Sequence, residues 1–294
     1  MWRVAIAALI LGCGGKSDGD SGLVEEADTD TDTDADTDTD ADADADTDFT
    51  VGPVATVPIS GLQLWVDAAS LILGDDWPVP LWMDASGNDN DLAQAGGDAR
   101  PTWQSNVVNG HPAVHFDGID DYLSTEEPLD VAGDHGVTVY AVGVVPVQVS
   151  GTPSLWAFAD PDIAGSGGSL ELDGFDLFFS IGAGMNALPS ASAFSSYFGT
   201  AQIIGVVKAP GPVDTTTSIR YSGALQPVTG TTEVPDFAPI RFTVGSVVGN
   251  RAGVVDFAEI LVYDRELDTD EQEGLECWLS AKYGIDLHDS VECP

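Results

Sequence analysis

Acidic residues at strand spacing are the first groups in this chain that could do chemistry. Glu171 and Asp173 are two positions apart, and alternate residues of a strand share a face. Retaining glycosidases work with a nucleophile and an acid/base carboxyl about 5–5.5 Å apart. Glu171 and Asp173 are therefore the candidate catalytic pair of a hydrolase reading. Gly174 and the glycines around it support a hairpin turn instead. A second group is oxygen-rich: Asp84, Asn88, Asp89, Asn90 and Asp91 in one loop, with Asp117, Asp120 and Asp121 in another. Hard cations take six to eight oxygens, so Asp84, Asn88, Asn90, Asp120 and Asp121 form a candidate calcium set if the loops meet. The competing reading is turn chemistry, because an Asp-x-Ser-Gly-Asn stretch can cap its own backbone. Trp77 and Trp82 stand near Asp75, Asp76 and Asp84, the composition of a sugar-binding platform, although core packing is the commoner use of Trp. His111 and His115 are four apart on a strand-like stretch, which separates them by ~13 Å and excludes joint chelation. Glu259 falls within an apolar run and needs a partner if buried, with Arg241 and Arg251 as candidates. The chain has no Gly-Lys-Ser/Thr phosphate loop and no Gly-x-Ser-x-Gly nucleophile elbow.

The elements that must position these groups are mostly strands. Short β-type runs occur at residues 61–67, 112–124, 137–145, 154–158, 175–181, 203–208, 218–221 and 240–244, with turn residues between them. The chain holds 33 Gly and 17 Pro, which indicates many turns. No strand–helix–strand rhythm is present, so a parallel α/β sheet is excluded and an antiparallel sandwich is expected. Residues 254–264 are apolar on both faces, with Val255, Phe257, Leu261 and Tyr263 predicted on one side and Ala258, Ile260 and Val262 on the other. Such a strand is covered on both faces. A helix follows. Asp268 and Glu271 fit a capping box, Leu275, Trp278, Leu279 and Tyr283 make an apolar stripe, Lys282 lies in the last turn and Gly284 at the C-cap.

The first part of the chain is an address. Met1-Trp-Arg is followed by eight apolar residues, too few to span a bilayer but suited to an export signal. Ile10-Leu-Gly-Cys13 resembles the lipobox of bacterial lipoproteins, which implies a signal peptide over residues 1–13 and a lipidated Cys13. Leu11 departs from that pattern, in which a smaller residue is commoner, and an ordinary cleaved signal is the alternative. Residues 14–53 read as a disordered acidic tether. Between residues 14 and 48 stand 15 acidic residues and one Lys, and from Asp28 to Asp48 every even position is Asp. Nothing there can be buried, and like charges keep the chain extended, giving a reach on the order of 100 Å. The net charge is -40, which disfavours nucleic acid and anionic lipid heads as partners. Of the three cysteines, Cys277 and Cys293 are expected to pair, leaving Cys13 as the modified thiol. Pairing requires an oxidising compartment, in agreement with export.

A family resemblance rests on the two ends of residues 54–294. Leu62-Gln-Leu-Trp-Val-Asp67, Trp82-Met-Asp-Ala-Ser-Gly-Asn88, Arg100-Pro-Thr102, Asn109-Gly-His-Pro112, Val114-His-Phe-Asp-Gly-Ile-Asp-Asp-Tyr-Leu123, Phe257-Ala-Glu-Ile-Leu-Val-Tyr-Asp-Arg265 and Lys282-Tyr-Gly284 occur in that order. Together they resemble bacterial secreted domains of the concanavalin A-like lectin/glucanase superfamily, of the laminin-G-like kind. The resemblance implies an all-β, two-sheet antiparallel jelly-roll sandwich with one C-terminal helix. It also implies binding of carbohydrate or a protein partner, in some members with calcium, and in others glycosidase activity. Glu171-Leu-Asp-Gly-Phe-Asp176 looks like the catalytic strand of laminarinase-type glucanases, but Asp176 follows an inserted Gly-Phe where that pattern ends in Glu. The expectation is therefore a non-catalytic binding module for carbohydrate or a partner protein. It would be exported and tied to the membrane through Cys13, in the bacterial outer membrane or on the cell surface. A glycoside hydrolase and a passive structural envelope protein are the alternatives.

Overall fold

The computed structural model describes residues 55–131, 135–145, 153–159, 168–173, 176–181, 190–191, 197–210, 216–229, 240–246 and 252–293, with side chains outside 168–191 and 228–229. Cys13 and the tether 14–53 lie outside the described residues. Thr50–Pro294 form one compact unit.

Turn residues divide this unit into short strands. The first third holds β1 (Leu62–Asp67), β2 (Trp77–Pro78), β3 (Leu81–Trp82), β4 (Leu92–Ala93), β5 (Thr102–Val108), β6 (His111–Asp117) and β7 (Leu123–Thr125). β8 (Val137–Val144), β9 (Ser154–Phe158), β10 (Gly168–Asp173), β11 (Asp176–Ile181) and β12 (Ser190–Ala191) follow. The last are β13 (Ala201–Lys208), β14 (Thr217–Tyr221), β15 (Ala224–Leu225), β16 (Val228–Thr229), β17 (Phe242–Val244) and β18 (Val254–Tyr263). They form two nine-stranded sheets, and every strand pair is antiparallel. One sheet runs β15-β14-β13-β8-β18-β6-β5-β2, with β1 also on β18. The other runs β16-β12-β11-β10-β9-β17-β7-β4-β3. The architecture is the expected two-sheet sandwich, and among the described residues its one α-helix is the C-terminal one.

β18 is the strand on which the first sheet is centred. β8 covers one edge for most of its length. The other edge is shared in succession, by β6 against Val254 to Phe257 and by β1 against Glu259 to Tyr263. At the changeover the register slips by one residue, because Phe257 pairs with Gly143 while Glu259 pairs with Val142. This β-bulge corrects the two-face assignment made from strict alternation. Val255, Phe257, Ile260 and Val262 belong to the core between the sheets, and Ala258, Leu261 and Tyr263 face the other way. Ala258 and Glu259 therefore both leave the inter-sheet face, and the parity is inverted beyond them.

The core between the sheets is aromatic at its centre. Trp156 packs against Phe242 with ring centroids 5.8 Å apart, and Phe116 meets Phe257 edge-on at 6.4 Å. The outer face of the first sheet is covered by the helix Thr269–Tyr283, through Leu275, Leu279 and Tyr283. Burying each of these two leucines contributes roughly 1.5–3 kcal/mol. The helix begins as its sequence indicates. The Asp268 side chain accepts from the Glu271 N–H at 2.9 Å, and Glu271 accepts from the Asp268 N–H at 3.1 Å. Gly284 ends it in the left-handed region at φ 61°. At its other flank the chain start is attached, since the Thr56 N–H donates to the Gly274 carbonyl at 3.2 Å. Cys277 and Cys293 form the expected disulfide, which returns the tail to the helix.

Candidate functional site

The two tryptophans chosen from sequence have opposite fates. Trp77 is 61% exposed on β2, an outermost strand of the first sheet. Trp82 is 0% exposed and belongs to the inter-sheet core, so it is no platform for a ligand. The cause is the chain path. Residues 77–82 cross from the edge of one sheet to the edge of the other, and the pairing of β3 with β4 turns Trp82 inward. The acids near Trp77 are already occupied. Asp75 accepts from the Ser105 N–H at 2.6 Å and Asp76 from the Gln104 amide at 2.7 Å. The Ser105 backbone bond holds the Asp75 carboxyl below its ordinary pKa.

The first oxygen-rich loop is turn chemistry. Asp84 Oδ1 accepts from the Trp65 and Ser86 N–H groups, and Oδ2 from the Ser86 hydroxyl and the Asn90 N–H. The Asn88 and Asn90 amides donate to the carbonyls of Leu62 and Gln63. This loop is bound to β1 near the end of β18, opposite Leu261 to Tyr263. Asp117 pairs with Val254 at the start of β18. Seven residues of strand separate the two places, or about 23 Å at 3.3 Å per residue. Asp84, Asn88 and Asn90 therefore do not meet Asp120 and Asp121, which corrects the five-residue calcium set. What does assemble is Asp117, Asp120 and Asp121, with carboxylate oxygens all within 4.8 Å. Burial pushes the Asp121 carboxyl up to about 6, against a bond from the Asp117 N–H that lowers it. Beside it, His115 Nδ1 lies 2.7 Å from Asp256. That hydrogen bond raises the imidazole pKa, with burial opposing it. Three clustered carboxylates, one of them raised, fit a divalent cation that would take its remaining oxygens from water.

Glu171 and Asp173 lie on β10, inside the second sheet between β9 and β11. Asp173 is the last residue of the strand and pairs with Asp176, the first residue of β11. The side chains of this pair lie outside the described residues.

Glu259 is buried, and Arg241 does not serve it, while Arg251 lies outside the described residues. Lys282 donates to Glu259 Oε2 and to Asp67 Oδ2, each at 2.8 Å, and the Trp65 indole N–H donates to Glu259 Oε1 at 2.6 Å. Lys282 also stands 5.0 Å from the centroid of the Trp278 ring. Burial raises the Glu259 pKa in spite of Lys282. A parallel cluster joins the helix to β14. The Arg220 guanidinium holds both oxygens of buried Glu276 at 2.7 and 2.9 Å, and the Tyr140 hydroxyl donates to Glu276 at 3.2 Å. Residues that carried the family resemblance, Trp65, Asp67, Glu259 and Lys282, thus converge on one structural network rather than on a reaction centre.

A cavity of about 460 Å³ opens where the helix ends. Its walls include the tip of the β5–β6 hairpin (Asn109), the approach to β13 (Tyr197, Gln202), the turn after β14 (Ser222) and the tail (Asp286, His288). The lining is held by a chain of hydrogen bonds. The Thr200 hydroxyl donates to the Tyr197 carbonyl, the Gln202 amide to Thr200 Oγ1, and the Ser222 hydroxyl to Gln202 Oε1. The Asn109 amide donates to the carbonyls of Tyr283 and Gly284 at 3.0 and 3.1 Å, capping the helix C-terminus. Sequence reasoning placed the site in the loops of the first half and missed this cavity. Its walls come from four separated segments, of which only Asn109 and Gly284 lay in motifs singled out there.

No family model and no curated protein matches the chain. Solved structures do. A mutant of Trypanosoma rangeli sialidase displaying trans-sialidase activity aligns with a TM-score of 0.53 at 15% identity, over 78% of this chain and 34% of that one. The binding domain of Paraclostridial Mosquitocidal Protein 1 aligns with a TM-score of 0.53 at 12% identity, over 75% of this chain and 52% of that one. This chain thus spans about a third of the length of the sialidase and half of the toxin domain. At these identities the likeness shows a shared fold, a β-sandwich in accord with the concanavalin A-like expectation.

Proposed function

We propose that this protein is a lipid-anchored surface module whose sandwich domain binds a carbohydrate or a partner protein without turning it over. The observation that supports binding over hydrolysis is the lining of the cavity beside the helix end. It offers amides, hydroxyls and two tyrosine rings, and among the described residues Asp286 is its one carboxylate. Glycoside hydrolysis needs two carboxyl groups across the scissile bond. The Ile10–Cys13 signal supports lipidation at Cys13, and the acidic tether supports display away from the membrane. Calcium belongs to this proposal at Asp117, Asp120 and Asp121, where the carboxylates cluster. The toxin binding domain and the sialidase are relatives in fold only, and the binding role in the toxin domain's name is extended to this chain as a proposal.

The test uses the full chain in a bacterial host. Wild type is expected in the membrane fraction, and Cys13→Ser is expected to leave it. Purified protein is then screened on glycan arrays, in pull-downs from envelope extracts, and against chromogenic glycosides. Turnover that disappears in Glu171→Gln would replace the binding reading with the hydrolase one. Silence in all three assays would leave a passive envelope protein.

A further inference from the structure

Resting on the binding-module reading, we propose that the cavity at the helix end is a site for an uncharged sugar, with one wall held in place by the Cys277–Cys293 disulfide. Its volume of about 460 Å³ lies within the range of small-ligand sites. Its chemistry is that of hydroxyl recognition. Both hydrogens of the Asn109 amide are used by the carbonyls of Tyr283 and Gly284, which leaves Oδ1 as the acceptor this lining residue offers. Thr200 uses one of the two amide hydrogens of Gln202, and the other remains to donate. Half-buried Tyr197, its ring 5.2 Å from that of Tyr221, supplies an apolar face beside these amides. Fixed acceptor, fixed donor and ring edge match the alternating hydroxyls and C–H faces of a sugar.

Charge then selects among sugars. Asp286 is on the lining, and the carbonyl end of the helix points the negative pole of its dipole there. Among the described residues no lysine or arginine lines the cavity. The cation nearest along the chain to Ser222 is Arg220, and it is held by Glu276 and the Gly223 carbonyl. His288 Nδ1 accepts from the Ser290 N–H at 3.2 Å, so that ring nitrogen is engaged within the tail. A sialylated or uronic sugar would meet like charge with no cation to receive it, and an uncharged sugar would not.

The wall that carries Asp286 and His288 is the tail. The Ser280 hydroxyl donates to the Ile285 carbonyl at 2.7 Å, and the His288 N–H to the Ser222 carbonyl at 2.8 Å. Val291 lies over Gly223, where a Cβ would come within 2.8 Å of Val291 Cγ2. Two residues later Cys293 bonds to Cys277 in the helix.

The experiment screens the full chain against neutral, N-acetylated, sialylated and uronic oligosaccharides and follows the strongest neutral hit by calorimetry. Ala224→Trp fills the cavity mouth, Asp286→Lys reverses its exposed charge, and Cys277→Ser/Cys293→Ser frees the wall; thermal unfolding of each reports folding. Neutral glycans are expected to bind at least tenfold more tightly than acidic ones. Ala224→Trp is expected to weaken binding at least tenfold, and Asp286→Lys to narrow the neutral-to-acidic preference. The folded cysteine pair variant is expected to bind several-fold more weakly. Preference for acidic glycans, or binding that survives Ala224→Trp, overturns the assignment. Capture of a protein partner with no glycan binding also overturns it but leaves the binding-module reading intact, whereas silence in both removes the two together. If the cysteine variant fails to fold, the other two substitutions decide.

Discussion

Lys282→Met tests whether the network beneath the helix is held by charge. The methionine keeps the aliphatic stem and removes the ammonium. Glu259 is 0% exposed, so among the described residues it would retain the Trp65 indole as its close hydrogen-bond donor. Leaving a buried charge unpaired costs about 3–5 kcal/mol. The lost contact with the Trp278 ring adds only about 0.5–1 kcal/mol, so the orphaned carboxylate decides the result. At 2–4 °C per kcal/mol for a domain of this size, the melting temperature should fall by roughly 6–20 °C at neutral pH. The deficit should shrink in acid. Burial already raises the Glu259 pKa in the native state, and removal of Lys282 raises it further. A carboxyl with a raised native pKa favours the folded state more as pH falls through that value. Adding Glu259→Gln should restore at least half of the loss, because an amide needs no counter-charge. Urea unfolding of the two single variants and the double variant at pH 7 and pH 4.5 gives the measurement. A single-variant loss below about 1 kcal/mol, or a double variant no more stable than Lys282→Met, would refute the reasoning.

Three further outcomes follow from the geometry. Trp82→Ala should cost about 3–5 kcal/mol through the cavity it leaves, while Trp77→Ala should change stability by no more than about 0.5 kcal/mol; thermal melts separate them. Asp121→Asn should stabilise the calcium-free protein at pH 8 and have little effect at pH 3. Burial pushes the native carboxyl up to about 6 from 3.8, so the cost of ionising it grows between those values and is complete above about 6, and millimolar calcium should reverse the sign. Gly205→Ala should cost about 1–3 kcal/mol, because the new Cβ would come within 2.6 Å of the buried Tyr140 ring; denaturant midpoints measure it.

What could be read from the sequence was what is encoded locally. The capping box at Asp268 and Glu271, the stop at Gly284 and the strands 137–145 and 154–158 depend on neighbours within one turn or one pleat, and each is present. The β-bulge at Ala258 was not legible, since one residue out of step leaves no mark in an apolar run. The partner of Glu259 was sought among arginines on nearby strands. The helix brings Lys282 to it across 23 residues and Asp67 to Lys282 across 215. Of the candidate site, the acids at Asp120 and Asp121 were identified but joined to the wrong loop, because sequence does not reveal which end of β18 each loop reaches. Trp77 and Trp82 have similar neighbours in sequence, and only the crossing between the two sheets distinguishes them.

The bond from Thr56 to the Gly274 carbonyl has a mechanical consequence. It ties the first described residues to the helix whose far end, with the disulfide-bound tail, borders the cavity. Were the chain held through its N-terminal segment and pulled by a ligand in that cavity, tension would run along the helix. The covalent chain enters β1 six residues after Thr56, so the first sheet would share that load with the helix.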